Sequence, residues 1–141
     1  MWDPDRVVDG LGRGLDKGIV KACQLFNEAG FATNGSCQGH TGRACPGAWI
    51  TFDGSHLDDL TSLAWEFNEQ SSSPLEVRVW KLCDNERGKF VVRVSVSERG
   101  DSVEEYDSWR APLPNTWSAA EFGKASRKLL TQFAAFVSRN R

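Results

Sequence analysis

Ser36, Cys37, Gln38, Gly39, His40, Thr41, Gly42, Arg43, Ala44, Cys45, Pro46 and Gly47 bring thiols, an imidazole, a guanidinium, hydroxyls and three glycines into one short stretch. Glycine lets a backbone turn tightly and approach a ligand, and Cys, His and Arg are the side chains used for metals, proton transfer and phosphates. Three chemistries are compatible with these residues. The first is binding: the amides of Gly39, Gly42 and Gly47, with Ser36, Gln38, Thr41 and Arg43, form a nest for a phosphate or another anion. Cys37 and His40 would shape its floor, and His40 and Trp49 offer ring faces for stacking. The second is nucleophilic catalysis by Cys37 with His40 as its base, although no Asp or Asn in the loop orients the imidazole. The third is a zinc site at Cys37, His40 and Cys45, three donors that suit a catalytic ion holding a water and fall one short of a structural site. A plain glycine-rich hairpin loop has the same composition. Binding without a cofactor is the reading adopted.

These residues need a base to stand on. Ile19, Cys23, Phe26 and Ala29 recur at helical spacing from Asp16, and Gly30 sits where a left-handed C-terminal cap belongs. Residues 31–36 and 48–52 read as extended segments, and antiparallel pairing is the simplest topology for two strands joined without a helix. Both would feed the 36–47 loop from one end of the sheet. His56 then falls at the other end, about 15 Å away at about 3.3 Å per residue, too far to complete a metal site.

Ser55 and Asp58 resemble a capping box, and Leu57, Leu60, Ala64 and Phe67 give a second helix one apolar face. Val77 and Val79 alternate with charged neighbours over 75–82, and Phe90, Val92, Val94 and Val96 repeat the pattern, with a turn at 84–88 between them. Residues 97–115, with Glu104, Glu105, Tyr106 and Trp109, read as an extra strand and loop able to cover the site. Ser118 and Glu121 mark a capped start for a last helix through about Val137. The order α-β-β-α-β-β-α predicts an α+β domain over residues 1–141, with a mostly antiparallel sheet covered by helices and an irregular lead-in over 1–15.

Composition narrows the classes further. The 141 residues, 40% hydrophobic with six tryptophans, suffice for one domain with a real core. A net charge of −2 gives no basic field for nucleic acid and is too mild for a DNA mimic. Asp3, Asp5, Arg6, Asp9, Arg13 and Asp16 leave no apolar run near the start, so neither a signal peptide nor a membrane span is expected. That predicts a cytoplasmic protein with reduced thiols, and Cys23, inside a helical stripe, reads as a small buried hydrophobe. The tryptophans read as core or edge-packing residues, except Trp80, which occupies the polar phase of its strand and is the one expected to face a ligand or partner.

The segment Leu25-Phe26-Asn27-Glu28-Ala29-Gly30-Phe31-Ala32-Thr33-Asn34-Gly35-Ser36-Cys37-Gln38-Gly39-His40, continuing through Trp49-Ile50-Thr51-Phe52-Asp53-Gly54, resembles small uncharacterised proteins of bacteriophages and bacteria. Those carry a helix, Gly, Thr, Ser-Cys-Glu/Gln-Gly and a nearby Gly-His before a strand ending in Phe. The resemblance covers about residues 19–96, including Val77-Arg78-Val79-Trp80, and implies a phage-like origin, hence the host cytoplasm, with no established activity attached. Here the Gly-His follows Gln38 directly. A shorter likeness, over Ser36, Cys37 and Gly39 after a Thr-containing strand, is to the wybutosine-synthesis methyltransferase family, whose loop reads Ser-Cys-Ser-Gly-Arg. It implies S-adenosylmethionine chemistry, with His40 in place of the arginine.

The function expected from all this is binding of a small anionic or nucleotide-like ligand through the 36–47 loop. A second class is an interaction factor that inhibits a host defence or replication protein through Trp80, Tyr106 and Trp109. A Cys/His or zinc-dependent enzyme is the third.

Overall fold

Apolar spacing and turn chemistry account for the elements of the computed structural model, which describes residues 17–37, 39, 47–84, 89–100 and 117–140. A 3-10 turn at Lys17–Ile19 leads into helix α1 (Val20–Glu28), which buries Ala22, Cys23 and Phe26 on one face. The helix stops where Gly30 takes a φ of +93° and donates its N–H to the Asn27 carbonyl, a conformation that glycine adopts without strain. Asn27 Nδ2 lies 3.1 Å from Thr33 Oγ1 and donates to it, tying the end of α1 to the first strand.

The described residues form four strands in two pairs: β1 (Thr33–Cys37), β2 (Trp49–Asp53), β3 (Leu75–Asp84) and β4 (Lys89–Glu98). Each neighbouring pair is antiparallel, in the order β1-β2-β4-β3. The α+β class and the two antiparallel pairs are as the sequence predicts. Strand β4 inserts between β2 and β3, so helix α2 (Leu57–Gln70) carries the chain from an inner strand to the far edge. Helix α3 (Ala119–Arg139) then returns over the same face and runs past the expected end at Val137.

The helix starts divide between one confirmed cap and one corrected cap. Ser118 Oγ accepts the Glu121 N–H at 3.1 Å and donates to Glu121 Oε1 at 2.9 Å, as its spacing predicts. Ser55 does not cap α2: Asp53 caps a preceding 3-10 turn at Gly54–His56, its carboxylate accepting the Ser55 N–H at 2.9 Å, and α2 then starts from His56 with no side-chain cap bond. An Asp at the end of a strand reaches two residues ahead with its short side chain, and so acts before Ser55 can.

The core forms where the three helices meet the sheet face carrying Ile50, Phe52, Val92 and Val94. Phenylalanine rings link the layers. Phe26 of α1 meets Phe52 edge-on at 5.0 Å and Phe133 of α3 at 5.8 Å, and Phe67 of α2 lies 5.4 Å from Phe133 and 5.6 Å from Phe136. Arg99 braces the turn after α2, donating to the carbonyls of Asn68, Ser71 and Ser73 at 3.1, 3.2 and 3.0 Å. Among the described residues no helix is long and apolar enough to cross a membrane.

Candidate functional site

The chain leaves β1 at Cys37 and enters β2 at Trp49, and these two residues are direct register partners. The 36–47 segment therefore begins and ends at one end of the sheet, as expected. His56 lies past the other end, its ring 4.9 Å from Phe31, and is excluded as a partner for Cys37. Gln38, His40, Thr41, Arg43 and Cys45 lie outside the described residues, as do Tyr106 and Trp109. Ser36, Cys37, Gly39, Gly47 and Trp49 are placed.

Alternation along β1 sends neighbouring side chains to opposite faces. Ser36, opposite Ile50, points its Oγ toward the helices, where the atom is buried and makes no hydrogen bond among the described residues. Cys37 is buried on the other face beside Trp49. Gly39 bends the departing chain back on it: with a φ of +90°, its N–H donates to Cys37 Sγ at 3.4 Å. Any side chain at 39 would strain this turn. Cys23 is buried inside α1, as expected. Among the described residues no group of three His, Cys, Asp or Glu side chains stands close enough to hold a metal.

The return of the segment is pinned from α3. The Ala48 N–H donates to Ser126 Oγ at 2.8 Å, and that hydroxyl donates to the Gly123 carbonyl at 2.8 Å. Both residues are buried. Ser126→Ala is expected to leave the Ala48 N–H unpaired and to lower stability by about 1–3 kcal/mol, read as a fall in the urea midpoint. An unchanged midpoint would show that the serine does not anchor this end.

The sheet face away from the helices carries the remaining site chemistry. Arg93 of β4 stands opposite Thr51 on one side and Trp80 on the other. Its guanidinium carbon is 4.1 Å from the centroid of the Trp49 ring, and the residue is only 4% exposed. A desolvated cation on an indole is worth about 2 kcal/mol and holds both groups in one geometry. Trp80 Nε1 donates to Ser95 Oγ at 2.9 Å, and Thr51 Oγ1 donates to Asn34 Oδ1 at 2.6 Å. Trp80 does occupy the polar phase, but it is half-buried and hydrogen-bonded across the strands. Among the described residues the exposed indole is instead that of Trp65 on α2, 71% exposed.

Arg93 and Thr51 were not legible as site residues. Their only signal is that they share the polar phase of strands whose other phase is valine, isoleucine and phenylalanine. Comparison with protein-family models, curated proteins and solved structures yields no match to this chain, so the resemblances to phage proteins and to the methyltransferase family rest on the quoted residues alone.

Proposed function

We propose that this protein binds a small anionic, ring-bearing ligand of the nucleotide class where the 36–47 segment joins β1 to β2. One observation supports this reading above the others: Arg93 lies across Trp49, the first residue of β2, beside Cys37. The guanidinium fixes one face of a partly exposed indole, which leaves the rest of the ring for a stacked base. The composition of the segment adds Arg43 and the glycines Gly39, Gly42 and Gly47, residue types suited to holding an anion. Arg93 acts here through Trp49, as a positioning residue.

Mass spectrometry of protein purified without chelator tests for captured cargo. A native mass above the denatured mass by that of a nucleotide-sized molecule is the expected outcome. An excess of one zinc ion would favour the Cys37, His40 and Cys45 site instead, and equal masses would count against a tightly held ligand.

A further inference from the structure

Asn34 is the one asparagine of the chain that is followed by glycine. It stands in β1 where the pairing with β2 slips: Thr33 lies opposite Phe52 and Gly35 opposite Thr51, with Asn34 as the extra residue between them. Such a bulge leaves one residue out of the ladder, bends the strand and re-aims the side chain there. Here the carboxamide turns to Thr51, whose hydroxyl donates to Oδ1 at 2.6 Å. Nδ2 makes no hydrogen bond among the described residues, and the residue is half-buried, within reach of water.

The other described asparagines are held the opposite way, by their nitrogen. Nδ2 of Asn27 donates to the Cys23 carbonyl at 2.7 Å and to Thr33, that of Asn68 to the Val77 carbonyl, and that of Asn140 to the Phe136 carbonyl at 2.8 Å. Each of the three is followed by Glu or Arg. An asparagine Cγ lies within reach of the next residue's backbone nitrogen, and a five-membered ring closes most readily when that residue is glycine, which places no Cβ in the way.

We propose that Asn34 and Gly35 form a self-modifying site, at which the fold promotes conversion of Asn34 to aspartate and isoaspartate. A base from solvent takes the Gly35 N–H proton, and the nitrogen attacks Cγ of Asn34 to form the C–N bond of a succinimide. The negative charge that builds on Oδ1 meets the Thr51 hydroxyl already aimed at that atom. As the carbonyl re-forms, the Cγ–Nδ2 bond breaks, and Nδ2 takes a proton from water and leaves as ammonia. Water then opens the ring at either carbonyl, so the net reaction consumes one water and releases one ammonia. Both products carry a carboxylate in place of a neutral amide, and isoaspartate also adds a methylene to the backbone of β1. The strand that leads into the 36–47 segment is thereby altered as the protein ages.

The test keeps the full folded chain in mildly alkaline buffer at physiological temperature and follows its 22–43 tryptic peptide by mass spectrometry, with fragmentation to place the change. The mass gain of amide-to-acid exchange is expected at Asn34 over days to weeks, with isoaspartate among the products, while Asn27 in the same peptide stays intact. Thr51→Val takes away the donor and is expected to slow the reaction about ten-fold or more. Thr51→Ser keeps the hydroxyl and is expected to retain most of the rate, and Gly35→Ala to suppress it. Circular dichroism checks that each variant is folded. No gain at Asn34, or an equal gain at Asn27, would overturn the proposal. So would an equal or faster reaction in Thr51→Val, since the hydroxyl would then only hold the carboxamide still.

Discussion

Phe133→Ala is expected to lower the unfolding free energy by about 3–5 kcal/mol, the range for emptying a buried aromatic site. The ring is fully buried at the point where all three helices meet. It touches Phe26 of α1 and Phe67 of α2, and Phe26 in turn packs on Phe52 of β2. Its loss therefore opens a cavity between layers that are held by separate elements and cannot all close on it. A chain of this size has about 7–20 kcal/mol of stability in total, at about 0.05–0.15 kcal/mol per residue, so the variant gives up a large share. Urea unfolding followed by circular dichroism measures the loss, with Phe133→Leu expected to cost clearly less. A loss below about 1 kcal/mol would mean that the helices collapse onto the gap, and would refute the ring network as the centre of the core.

Trp49→Ala carries the second large effect, on binding rather than folding. Stacking of one base on an aromatic ring is worth about 1–3 kcal/mol by alanine substitution, so affinity for ADP is expected to fall about ten- to a hundred-fold. The same change takes the indole from beneath a guanidinium that is almost wholly buried. A smaller loss of stability accompanies it, and titrations belong well below the melting temperature. Trp49→Phe keeps a ring and is expected to retain most of the affinity. Unchanged affinity in the alanine variant would remove the indole from the site.

The parts of this structure legible in the sequence are those decided by near neighbours along the chain. Gly30 ends α1 and Ser118 starts α3 because capping depends on residues a few positions apart. The hairpin of β3 and β4 is equally local. Strand order was not legible: Ile50 and Phe52 alternate as Val92, Val94, Val77 and Val79 do, and nothing in that alternation says that β4 enters between β2 and β3. The candidate site suffers directly from this, because Arg93 reaches Trp49 only through the pairing of β2 with β4. The tryptophans divide along the same line. Trp65 falls off the Leu57, Leu60, Ala64 and Phe67 stripe, so its exposure could be read from helical periodicity. The burial of Trp80 depends on Ser95 across the ladder, which no local pattern announces. Residue type alone marked Ser36, Cys37, Gly39 and Trp49, and the fold brings them to one end of the sheet.

The most direct test of the site is a nitrogen-15 correlation spectrum of the labelled protein titrated with ADP. Shifts concentrated at the Trp49 indole N–H and at the amides of Cys37 and Gly39, saturating together and absent in Trp49→Ala, are the predicted result. Resonances at this end of the sheet that stay fixed at millimolar nucleotide, or shifts gathered elsewhere on the protein, would contradict a ligand site at the junction of β1 and β2.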